Sequence, residues 1–159
     1  EKIRSIRLHG KGNDKYDHER VGVNSRLDTI QAAILIEKLK IFPKEIELRN
    51  QIAKKYNYLN NNIVITPKIN NGNISVWAQY TLRSKERTAV REIFSKGNIP
   101  TVIYYPKPLF QQQGYGNFPV VSSGAAISEQ LCEEVFSVPM HPYITDELID
   151  KIISLIREY

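Results

Sequence analysis

One cysteine, Cys132, occurs in the whole sequence, which excludes an internal disulfide and any zinc site built from several cysteines. Histidine is almost as scarce, and His9, His18 and His141 lie too far apart for metal-ligand spacing. No apolar run approaches the roughly 18 to 20 residues that cross a bilayer. The first residues, EKIRSIRLHG, lack the continuous apolar stretch of a secretory signal. These absences predict a cytoplasmic, metal-free protein. Also missing are a glycine-rich phosphate loop, a nucleophile elbow and a pair of carboxylates set for acid and base roles. No lysine sits in the apolar, small-residue context that lowers its pKa for Schiff-base work. A chain lacking all of these is expected to have no reaction centre of its own.

What is present describes a folded domain. The 159 residues are 42% apolar and 25% charged, enough for one domain with a core, or one domain and a piece of another. The net charge of +5 favours anions, but its Lys and Arg residues are interleaved with Asp and Glu rather than gathered into a nucleic-acid stripe. The chain begins at Glu1, and its opening reads as the middle of something. It is therefore expected to be a piece of a longer protein.

Along the chain, GKGNDKYDHERVG (10 to 22) is rich in Gly, Asp and Asn and has no period, which predicts a long loop. From Leu27 the apolar residues Leu27, Ile30, Ile34 and Ile41 recur at helical spacing up to Phe42 and Pro43, and Ser25 with Asp28 resembles a capping box. A second helix is expected from Pro43 to about residue 60. SVWAQYTLR (75 to 83) and IPTVIYYP (99 to 106) read as strands around a helix from Glu86 to Lys96 that ends at Gly97. A loop over 111 to 124, a helix from Ala125 to Glu134 and a strand over 135 to 139 follow. Thr145 is placed to cap a last helix with Leu148, Ile149, Ile152, Ile153 and Ile156 on one face.

Two places invite a chemical reading. Asn24, Ser25 and Arg26 stand where a helix is expected to begin, so they are either a cap with a solvated Arg or donors around an anion at the helix end. Tyr104 and Tyr105 end a predicted strand, where alternation sends one to the core and leaves the other, with Lys107, free to stack on or hydrogen-bond a ligand. His18 acts as a base only if a substrate is brought to its loop.

Taken in order, IRLHGKGNDKYDHERVGVNSRLDTIQAAILIEKLKIF, LRNQIAKKYNYL, SVWAQYTLR, GNIPTVIYYPKPL and FSVPMHPYIT resemble the C-terminal part of the DegT/DnrJ/StrS family of pyridoxal-phosphate-dependent sugar-nucleotide aminotransferases. The wording of SVWAQYTLR and IPTVIYYPKPL is most similar to the branch that aminates a UDP-linked 3-oxo uronate. The resemblance implies an α/β protein of the type I aminotransferase fold. Residues 1 to 42 would end the large domain and supply the interdomain helix. Residues 43 to 159 would form an α+β small domain of long helices and a small, mostly antiparallel sheet. It implies a cytoplasmic homodimer with sites at the subunit boundary, serving surface polysaccharide (O-antigen) synthesis, and a cofactor-bearing lysine upstream of Glu1. Asn24 would reach the cofactor phosphate of the other subunit, Arg26 a substrate carboxylate, and Tyr104 and Tyr105 the sugar pocket, with His18 near the substrate. Where many members have Leu-His after the proline pair, this chain has Leu109 and Phe110, so that contact is not carried over. The implied reaction moves an amino group from glutamate to a keto-sugar nucleotide, and neither nucleic acid nor membrane is expected as a partner. A piece of such an enzyme would be inactive alone. A stand-alone basic binding module, or a dimerisation module built on residues 26 to 42, remains the alternative.

Overall fold

The computed structural model describes residues 1–14 and 16–159, so residue 15 of the predicted 10 to 22 loop lies outside them. The chain divides into two compact units, Glu1–Pro43 and Lys44–Tyr159. No helix among the described residues is long and apolar enough to cross a membrane.

Glu1–Pro43 begins with a short helix, α1 (Lys2–Ile6). The chain then folds back on itself through isolated bridges between Lys11 and His18 and between Leu8 and Asn24. Two glycines permit this close return. Gly10 has φ +78°, and a Cβ there would lie 1.7 Å from the Arg20 carbonyl oxygen; one on Gly22 would lie 2.1 Å from the Gly10 nitrogen. The predicted loop is thus a pinned excursion.

Helix α2 runs unbroken over Thr29–Tyr56 with Pro43 inside it, where two helices in series were expected. Proline removes one i to i−4 hydrogen bond, here to the Leu39 carbonyl. Both residues are exposed, so the Leu39 carbonyl left without that N–H is not sealed in the core. The cap also differs from expectation. Asp28, not Ser25, closes the helix start: its Oδ1 accepts from the Gln31 N–H at 2.8 Å and its carbonyl accepts the first helical bond from Ala32 at 2.9 Å.

In Lys44–Tyr159, strands β1 (Tyr80–Arg83) and β2 (Val135–Val138) pair antiparallel, with Thr81 opposite Ser137. Bridges from Ile65 to Arg83 and from Val102 to Ser137 extend the ribbon by one residue on either edge. Both predicted strands are shortened. Trp77 has φ +48°, which takes residues 75 to 79 out of strand geometry. Pro100, Pro106 and Pro108 lack ladder N–H groups, so only Val102 pairs in the second segment.

Three helices pack around this ribbon: α3 (Arg87–Lys96), α4 (Ala126–Glu134), which runs straight into β2, and α5 (Asp146–Arg157). Helix α3 ends at Gly97 as its sequence predicts. Thr145 caps α5 by accepting from the Leu148 N–H, and α5 buries Ile149, Ile152, Ile153 and Ile156. They join Phe94, Phe136, Tyr80 and Tyr56 in one apolar cluster. Each such side chain contributes roughly 1.5–3 kcal/mol through area removed from water. This is the helix-rich, α/β arrangement with a small antiparallel sheet that the sequence led us to expect.

Candidate functional site

Asn24 sits on backbone held from both sides. Val23 donates to the Ile6 carbonyl at 2.8 Å and accepts from His9 at 3.1 Å. Ser25 donates to the Arg7 carbonyl at 2.9 Å, and its own carbonyl accepts from Arg7 Nε at 3.1 Å. Those bonds hold residues 23 to 25 extended and explain why the helix starts four residues after Ser25 rather than beside it. The Asn24 amide is exposed and makes no hydrogen bond among the described residues, and the exposed Arg26 guanidinium makes no ion pair among them. A neutral amide and a five-donor fork on a pinned backbone suit the oxygens of a phosphate or a carboxylate. The donor set fits an anionic cofactor group in part, because an amide supplies one share of the several donors a phosphate takes.

His18 is set differently. Its Nδ1–H donates to the His9 carbonyl at 3.1 Å, and in the neutral tautomer with that bond Nε2 is the acceptor. Asn24, Arg26 and His18 all belong to Glu1–Pro43, whereas Tyr104 and Tyr105 belong to Lys44–Tyr159.

The tyrosines correct one expectation. Neither enters the core: Tyr104 is 39% and Tyr105 67% exposed, and Ile103 packs against the apolar cluster instead. The segment leaves the sheet after Val102, so strand alternation no longer assigns the faces. Their rings meet edge to face with centroids 5.7 Å apart. They open on different hollows: Tyr104 on one of about 250 Å³ with Gln79 and Met140, and Tyr105 on one of about 620 Å³ with Lys107, Leu109 and Tyr115. Sequence reasoning passes over Gln79, because it reads as one more residue of a strand. Only the positive φ of Trp77, invisible in the sequence, takes it out of that role.

The buried tyrosines serve the fold. Burial pushes the Tyr80 phenol up to about 12 and the Tyr56 phenol higher still. Both stay protonated and donate, Tyr56 to the Pro139 carbonyl at 2.8 Å and Tyr80 to Asn57 Oδ1 at 2.9 Å. Among the described residues no group of three or more His, Cys, Asp or Glu is placed to hold a metal ion.

The sequence model of the DegT/DnrJ/EryC1/StrS aminotransferase family matches residues 1–157. The chain belongs to this family. Among curated members, the UDP-2-acetamido-2-deoxy-3-oxo-D-glucuronate aminotransferase of Pseudomonas aeruginosa is 44% identical over 146 residues, which is 89% of this chain and 39% of that protein. A crystal structure of a DegT DnrJ EryC1 StrS aminotransferase from Brucella abortus superposes with a TM-score of 0.93 at 45% identity, over 99% of this chain and 42% of that one. The structure of DesV from S. venezuelae, in complex with a ketimine intermediate, gives 0.88 at 28% identity over 99% and 43%. The chain spans 39% to 46% of the length of the curated relatives it matches. Members of this aminotransferase family use pyridoxal phosphate, so the anion-suited pair in Glu1–Pro43 belongs to a family with a phosphorylated cofactor.

Proposed function

We propose that this chain is the C-terminal part of a cytoplasmic, homodimeric sugar-nucleotide aminotransferase. The enzyme moves an amino group from glutamate to the keto carbon of a UDP-linked 2-acetamido-3-oxo uronate, for surface polysaccharide synthesis. The similarity to the P. aeruginosa enzyme supports the substrate class. The observation that carries the reading is that the Asn24 and Arg26 side chains make no hydrogen bond or ion pair among the described residues, while the neighbouring Val23 and Ser25 backbone is bonded to Ile6, Arg7 and His9. In this reading residues 1 to 42 close the large domain and supply the interdomain helix, and residues 43 to 159 are the small domain.

Pyridoxal phosphate, when bound, supplies the electron sink for amino transfer, and the protein supplies binding and orientation. Within this chain, the Asn24 amide donates to the cofactor phosphate of the other subunit. Arg26 holds the uronate carboxylate through two parallel N–H donors, so a neutral sugar leaves its guanidinium without a partner. His18 offers Nε2 as an acceptor toward the substrate, and Tyr104 and Tyr105 line the sugar pocket. The lysine that carries the cofactor comes from outside the chain, and the chain alone is inactive.

The test is cofactor retention by the full-length protein. Asn24→Ala should weaken it by about tenfold or more, the loss of one hydrogen bond to a charged group, read as visible absorbance remaining after dialysis. Retention equal to wild type would refute the role of Asn24. A module that only self-associates through the exposed Ile30, Ile34, Leu39 and Phe42 of α2 would leave retention indifferent to the substitution.

A further inference from the structure

The hollow beside Tyr104 is a built cavity in Lys44–Tyr159. Val102 and Ser137 exchange two backbone hydrogen bonds, of 3.1 and 2.7 Å, which fixes one wall to β2. Arg49 fixes another: its Nη1 donates to the carbonyls of both Trp77 (2.8 Å) and Met140 (3.1 Å). The Trp77 indole N–H donates to Asn50 Oδ1 at 3.0 Å, and Tyr80 is buried. Gln79 therefore rises from backbone held two residues before it and one after it.

The lining is apolar through Ala78, Val102, Val138 and Met140, and Gln79 is its one carboxamide. Gln79 is exposed, and its side chain makes no hydrogen bond among the described residues. A primary carboxamide presents one carbonyl acceptor and two N–H donors. A trans secondary amide carries its N–H and its carbonyl on opposite edges, so the carboxamide meets one of the two with one hydrogen bond, and an apolar wall next to it suits a methyl group. Pre-organised polar groups of this kind, few and set among apolar ones, are what confers specificity in small-molecule sites.

Resting on the reading above, in which Tyr104 faces the sugar, we infer that Gln79 recognises the 2-acetamido substituent of the nucleotide-linked sugar. The acetamido methyl lies against Met140 and Val138, and the amide pairs with the Gln79 carboxamide. A 2-hydroxyl in its place covers none of the apolar wall and satisfies the carboxamide only in part. Gln79 is thus a specificity residue, and takes no part in proton or amino transfer.

Calorimetric titration of the full-length enzyme with a UDP-linked 2-acetamido uronate and with its 2-hydroxy counterpart tests this, since neither has a keto group to react. Wild type should prefer the acetamido ligand by about tenfold, the value of one net hydrogen bond. Gln79→Leu should weaken that ligand by about tenfold and leave the hydroxy ligand within about twofold. Gln79→Glu, which keeps the length and loses the donors, should act in the same direction. A purely structural role would weaken both ligands equally, and would overturn the inference. So would an undiminished preference in Gln79→Leu. Equal binding of both ligands by wild type sinks the inference and leaves the aminotransferase reading standing. Binding of neither ligand sinks both.

Discussion

Every residue of the apolar core, from Ile52 to Ile156, lies in Lys44–Tyr159, whereas in Glu1–Pro43 Gly10 alone is buried among the described residues. One unit closes on its own side chains. The other is shaped by backbone hydrogen bonds around Leu8, His9, Val23 and Ser25, and leaves Ile30, Ile34, Leu39 and Phe42 exposed. The difference teaches where each kind of work is done. A closed core fixes the geometry of a cavity such as the one at Gln79. A unit that spends few side chains on itself leaves the Asn24 and Arg26 side chains exposed and unpartnered among the described residues, and its apolar helix face exposed as well.

The strongest way to break this comparison is to separate the units. A chain of residues 44–159 should keep a cooperative urea transition, and residues 1–43 alone should show none by circular dichroism. A cooperative transition in the short piece would mean that backbone bonding suffices there. Next in size is a matched pair of truncations. Phe136→Ala removes a fully buried ring and should cost about 3–5 kcal/mol of unfolding free energy. Ile34→Ala removes a side chain that is 60% exposed and should stay within about 0.5 kcal/mol.

The smallest effect sharpens the picture inside Lys44–Tyr159. The Arg83 guanidinium, and then Gln130 at 2.9 Å, hold the Glu134 carboxyl below the ordinary range. A carboxyl whose folded pKa lies below its unfolded one stabilises the fold above the unfolded value, and this contribution is lost as pH falls through the folded value. The urea midpoint should therefore fall as pH drops below about 4.3, the unperturbed glutamate value. In Glu134→Gln that part of the fall should vanish, and the two proteins should converge in acid.

Much of Lys44–Tyr159 was legible in the sequence because its signals are local. Thr145 and the Ile149, Ile152, Ile153 and Ile156 stripe define α5 by themselves, and Gly97 ends α3 where its neighbours end their helical pattern. The misread places depend on distant partners. Asp28 rather than Ser25 caps α2 because Arg7, 18 residues away, has already engaged the Ser25 carbonyl. SVWAQYTLR alternates like a strand, yet its first half is held by Arg49 and Asn50 from α2. Of the candidate site, the residue types were legible, and which of them are left without partners was not.

The sequence by itself determined the family, the helical segments and the residues able to hold an anion, since each rests on side-chain type and spacing within a few turns. Tertiary structure alone decided that α2 continues through Pro43, that both Tyr104 and Tyr105 stay out of the core, and that Gln79 lines a rigid cavity. Those outcomes depend on which groups water or remote side chains satisfy, and no local pattern encodes that.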